Sequence, residues 1–196
     1  MEKKPFKFGL IVGRFQILHS GHVMMVNKAL ELCEQVGILI GSSQESGTLN
    51  NPFDYEFRKE QIGRMFGEEI QVGPLEDIFA DSAINWGKFV MECAERSFGC
   101  HPDLFVSGKE ERRLRWFNED SAIAELYVPK SIDISAARMI QLLIDDDQQT
   151  WKAYMDSKLY DQYERLRAGA LKSKDKLYTD SMKRIKMRLY VSLIFY

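Results

Sequence analysis

Three cysteines, three histidines and five prolines in 196 residues exclude several kinds of protein at the outset. Cys33, Cys93 and Cys100 form no CxxC pair and lie beside no histidine cluster, so neither a disulfide framework nor a zinc centre is indicated. A reducing, cytoplasmic setting suits them. Charge of one sign is also lacking. The 27 basic and 29 acidic residues give a formal net charge of -2, which offers no overall field toward nucleic acid or a membrane surface. Long apolar runs are missing near the start. Residues 8–12 are interrupted by Gly9 and closed by Gly13 and Arg14, which reads as a buried strand and not as a signal peptide. No internal repeat and no linker-like stretch appears.

What the chain does have is 45% hydrophobic content, enough for one sizeable core. Short apolar runs alternate with helical spacing. Strands are expected over residues 6–12, 36–40, 69–72, 104–106 and 126–128, and helices over 21–35, 54–66 and 84–98. Ser135 is placed to cap a further helix carrying Met139, Leu142 and Leu143. Such β-α alternation predicts an α/β fold, a Rossmann-like doubly wound parallel sheet whose ligands sit beyond the strands' carboxyl ends. Residues 1–145 are expected to form that domain. Residues 146–196 are expected to be a C-terminal helical extension packed on it, purely helical over 151–171. The end, SMKRIKMRLYVSLIFY, alternates basic and apolar residues before becoming wholly apolar, which suits burial against the domain or in a homo-oligomer.

Gly13, Arg14, His19, Gly21 and His22 crowd into ten residues between the first strand and the first helix. A glycine-turned loop feeding a helix N-terminus offers backbone N–H groups and the positive end of the helix dipole to a phosphate. Two imidazoles three residues apart add N–H donors on the same side of that turn. An isolated HxxH is more often a cap or a core pair, and the neighbouring Gly13, Arg14 and Gly21 favour phosphate here. Metal ligation lacks a third ligand, since His101 has no partner at suitable spacing.

The run GRFQILHSGH resembles the GRFQPxHxGH signature of the HxGH nucleotidyltransferase superfamily, and more narrowly that of the archaeal-type nicotinamide-nucleotide adenylyltransferases. GSSQESGTLNNPF, followed by Arg58, and PLEDIFADSAINW are similar to later segments of the same family. The likeness covers residues 6–143. It implies an enzyme that joins ATP, with Mg²⁺, to a nicotinamide or nicotinic acid mononucleotide and releases pyrophosphate. On that resemblance His19 and His22 handle the triphosphate, Arg14 positions phosphate or substrate, and Gly13, Phe15, Gly21 and Ser135 help to bind ATP. Asp77 and Trp86 take the pyridine ring, for which a tryptophan face and a carboxylate are chemically apt.

One motif departs from the family. Where relatives resemble ISxTxxR, this chain has Ile134, Ser135, Ala136, Ala137, Arg138, Met139 and Ile140. The threonine has become Ala137 and the arginine Ile140. Arg138 lies two positions off, which turns it about 200° around a helix. Lys109 and Arg112, in the run SGKEERRLRWF with Arg113 and Arg115, are alternative cations after the fourth strand. Two other functions stay open at this point. They are cytidylyl or adenylyl transfer to another phosphate ester, and a nucleotide-binding regulatory protein that has lost turnover. Ile140 is correspondingly either a weakened phosphate clamp or a core residue.

Overall fold

The computed structural model describes residues 3–108, 116–117 and 122–176. Lys109, Arg112, Arg113, Arg115 and the segment 177–196, with its expected homo-oligomer role, lie outside the described residues. The elements run β1 (Phe6–Gly13), α1 (Ser20–Leu32), β2 (Cys33–Ile40), α2 (Tyr55–Phe66), β3 (Ile70–Pro74), α3 (Ala83–Phe98), β4 (Leu104–Ser107), β5 (Ala124–Tyr127), α4 (Ala136–Ile144) and α5 (Gln148–Ala153). A 3₁₀ turn over Ser157–Gln162 leads into a last helix, α6, over 163–176.

The described strands form one parallel sheet in the order β3-β2-β1-β4-β5. Its chain order reverses between β1 and β4, and a doubly wound sheet opens a ligand crevice at such a switch point, beyond the carboxyl ends. The first strand therefore lies at the centre. Its burial is nearly continuous, as a strand covered on both faces requires. Side chains alternate between two cores. Leu10, Val12, Leu39 and Phe105 join the cluster under α3, whereas Ile11, Ile38, Ile40 and Val106 join the cluster under α1, α2 and α4. The second of these also takes in Trp151, Met155, Leu159, Tyr163, Leu166 and Ala170, so the helices after α4 share the sheet's own core.

Two expectations are corrected. The helix predicted over 21–35 stops at Leu32, because Cys33 and Gln35 pair in register with Phe6 and Phe8 of β1. Ladder bonds to a central strand outweigh three residues of helical spacing. The stretch predicted as purely helical over 151–171 is broken. α5 ends at Ala153, and Asp156 caps the following 3₁₀ turn by accepting the Lys158 amide at 2.9 Å. Among the described residues no helix is long and apolar enough to cross a membrane.

Candidate nucleotide-binding site

The loop from Gly13 to His19 turns β1 into α1 at the switch point. Phe15 adopts a positive φ of 47°, an uncommon conformation for an aromatic residue, and is held there by near-complete burial. Its ring lies 4.7 Å from that of His22, which in turn stacks on His19 at 3.9 Å with 25° between the planes. Phe15, His22 and His19 thus form one pile of rings over the start of α1. The two glycines clear space for it. A Cβ on Gly13 would come within 2.9 Å of the Phe15 ring, and one on Gly21 within 3.1 Å of the His19 ring. Gly13 and Gly21 make room for the protein's own side chains, and the buried Phe15 acts as the support beneath His22.

The amides at the head of α1 are largely occupied. Ser20 donates to the Tyr154 carbonyl at 2.8 Å, and His22 and Val23 both donate to the His19 carbonyl. The simple picture of a bare helix terminus is therefore modified. The polar groups this turn could offer a ligand are chiefly the imidazoles. The His19 Nδ1 is buried without a protein partner, and the Nδ1 of His22 faces the His19 amide at a long 3.5 Å.

Both rings are neutral at ordinary pH. Burial, and then the Lys130 ammonium, push His19 down to about 4 from 6.5. Burial first, then His19 and Lys130, hold His22 well below the usual histidine range. Between pH 6.5 and 4 the unfolded chain binds protons that the folded chain refuses, so stability falls as pH drops through that window. For His19 alone the expected loss by pH 4 is on the order of 3 kcal/mol. Urea midpoints between pH 7 and 4.5 measure it, and a His19→Asn, His22→Asn variant should show a flatter profile. An equal slope in the variant would mean that the protons are taken up elsewhere.

Arg58 ties the neighbouring loops to this turn. Fully buried on α2, it donates from Nη1 to the carbonyls of Arg14 (2.9 Å) and Gly41 (2.8 Å). Its Nη2 reaches Ser42 (3.0 Å) and its Nε reaches Asp54 (3.0 Å). Ser42, like Phe15, has a positive φ, 49°. Gln16 adds a second tie, donating to the Asn51 side chain at 3.1 Å and accepting the Phe53 amide at 3.0 Å. Arg14 itself is exposed, with its stem over Gly41. The ends of β1 and β2 are thereby fixed together as one rim.

The rim continues to β3. Gln44 binds the backbone of Asp77 twice, accepting its amide at 3.1 Å and donating to its carbonyl at 3.2 Å. Asp77 is exposed and, with Arg14, lies close enough to Arg58 to act on its charge. Trp86, in the first turn of α3, is half-buried, packed on Phe89 at 5.8 Å and edge-on to Trp116 at 6.1 Å. It serves the core on one side and leaves part of its surface open.

On the far side of the switch point Ser135 caps α4, its hydroxyl accepting the Arg138 amide at 3.2 Å. That leaves the hydroxyl proton free to donate. Arg138 is exposed and Ile140 is buried with Met139, Leu142 and Leu143. The structure thus decides for Ile140 as core. Sequence reasoning passed over Tyr154, Gln44 and Lys130. A backbone carbonyl 134 residues from its partner leaves no signal in composition or spacing.

This geometry agrees with what the chain is similar to. It belongs to the cytidylyltransferase-like family, whose model matches residues 10–110. Within that family it is 36% identical over 88 residues to a nicotinamide-nucleotide adenylyltransferase of Saccharolobus solfataricus, covering 42% of this chain and 50% of the relative. Over 61 residues it is 46% identical to the same-named protein of Thermococcus sibiricus, covering 31% of this chain and 33% of that one. The chain spans about half the length, or less, of the curated relatives it matches. In fold it resembles a bifunctional NMN adenylyltransferase/ADP ribose pyrophosphatase of Francisella tularensis, solved with AMP and a manganese ion. The TM-score is 0.69 at 19% identity, over 93% of this chain and 56% of that one.

Proposed function

We propose that this protein is an adenylyltransferase that joins ATP to nicotinamide or nicotinic acid mononucleotide and releases pyrophosphate. The observation that carries the reading is the stacked His19–His22 pair at the head of α1, at the sheet's switch point, in a chain similar to nicotinamide-nucleotide adenylyltransferases. An oxygen of the mononucleotide's 5′-phosphate attacks the α-phosphorus of ATP. The new P–O bond forms as the bond to the α-β bridging oxygen breaks, and pyrophosphate leaves with that electron pair. The chain's part is alignment and charge stabilisation, with no covalent enzyme intermediate. His19 and His22 donate N–H bonds to the β- and γ-phosphates, Arg14 supplies positive charge, and the Ser135 hydroxyl donates from the opposite side. Asp77 and Trp86 hold the pyridine ring.

Among the described residues no cluster of His, Cys, Asp or Glu could hold a resident metal. A divalent ion such as Mg²⁺ would come with ATP and would add positive charge at the triphosphate. Residues 1–145 carry the transferase, and the described part of the following extension, 146–176, packs on it. The burial of Trp151 and the Tyr154–Ser20 bond support its packing there. A cytoplasmic location goes with this reading, supported by the three free cysteines.

Pyrophosphate release with ATP or CTP against a panel of phosphate acceptors tests the reaction. ATP with a pyridine mononucleotide is expected to be preferred, and preference for another pair would replace the proposal. In the same assay Trp86→Ala should raise the Michaelis constant for the mononucleotide several-fold, as expected for losing one aromatic-cation contact of ~1 kcal/mol. That for ATP should hardly change. Equal effects on both would leave Trp86 a core residue.

A further inference from the structure

Resting on the proposed ATP site, we infer that Lys130 is a cationic contact of the triphosphate, brought to the head of α1 by the loop after β5. Positive charge is short among the described residues at the head of α1. His19 and His22 are neutral, the Ser20 amide is taken by Tyr154, Ile140 lies in the core and Arg138 is exposed. A triphosphate carries about four negative charges at neutral pH, and preorganised cations are the usual means of binding it. Arg14 supplies one from the β1 side.

The loop after β5 brings another from the opposite side. Its start is fixed by the Val128 amide donating to the Ser107 carbonyl at 2.8 Å, at the carboxyl end of β4. It then packs on α1. The Ser131 hydroxyl lies 2.9 Å from the Met24 sulfur, and Ile134 reaches to within 3.6 Å of the position a Cβ would take on Gly21. Lys130 lies between these anchors in the chain, so the loop that carries it is held against the head of α1. Pro129 and Ser131 turn instead to a groove along α1 that also carries Glu31 and Asp156, and Lys130 is not part of its lining. Lys130 is exposed and takes part in none of the ion pairs found among the described residues. Its charge is felt by both imidazoles. An exposed cation whose charge acts on two neutral donors, and which meets no anion in an ion pair among the described residues, fits a polyphosphate.

The test compares Lys130→Ala and Lys130→Arg with the unaltered protein. ATP dissociation constants come from titration calorimetry, Michaelis constants from pyrophosphate release, and histidine titrations from NMR. Lys130→Ala should weaken ATP binding about tenfold, the usual effect of losing one charge-assisted hydrogen bond. The Michaelis constant for ATP should rise while that for the mononucleotide stays the same. Lys130→Arg should restore most of both. The titrations of His19 and His22 should move up in Lys130→Ala, since a nearby positive charge has gone. ATP binding by Lys130→Ala as tight as by the unaltered protein would overturn the role of the lysine alone. Failure of the unaltered protein to bind ATP would overturn the nucleotide site with it.

Discussion

His19→Ala and His22→Ala should each lower turnover by roughly 10²–10³-fold and leave the fold intact, the loss typical of removing one preorganised donor to a developing oxyanion. Enzymes supply at least about 10⁶ in total, so each single variant should keep measurable activity. The two effects should not multiply. The rings stack at 3.9 Å and Phe15 supports the pile, so removing one lets the other drift from its position. The double variant is therefore expected to be little worse than the poorer single one. Turnover at saturating ATP and mononucleotide, with a melting curve for each variant, measures this. Normal turnover in both single variants would remove the histidines from the chemistry.

Ile140→Arg is expected to have the largest effect on stability. The side chain is 7% exposed and sits among Met139, Leu142 and Leu143 on the inner face of α4. A guanidinium placed there must shed its water with no carboxylate to meet it, a cost of about 3–5 kcal/mol. For a chain of this size that lowers the melting temperature by roughly 6–20 °C. Ala137→Thr, at an exposed position, should change stability by no more than about 0.5 kcal/mol. The pair together should melt early and gain no turnover. A double variant as stable as the parent and faster would show that the helix can turn position 140 toward the phosphates, and would return Ile140 to the site.

The same contrast explains what could be read from the chain beforehand. The β1–α1 turn was legible because all its parts are local. A strand, two glycines and two histidines lie within a few residues, and their geometry depends on little else. The parallel sheet was legible for a similar reason, since each strand is a short apolar run closed by a break. Long-range choices were not. Whether Cys33 ends a helix or begins a strand is decided by Phe6, and whether Ile140 faces ligand or core is decided by α4's packing on the sheet. Arg58 was visible as a family match, but its four carbonyl partners come from three separate segments of chain. Lys130 looked like any surface lysine until its loop was seen lying over α1.

The hydrogen bond from Ser20 to the Tyr154 carbonyl also bears on how the protein is made. On the ribosome β4 follows the GRFQILHSGH turn by some 90 residues, and Tyr154 follows β4 by some 50 more. A nascent chain halted after β5 would carry the histidines without the carbonyl that fixes the head of their helix. The head of α1 is fixed only once residue 154 has been made, so fragments ending after β5 should fold part of the sheet and yet hold nucleotide poorly.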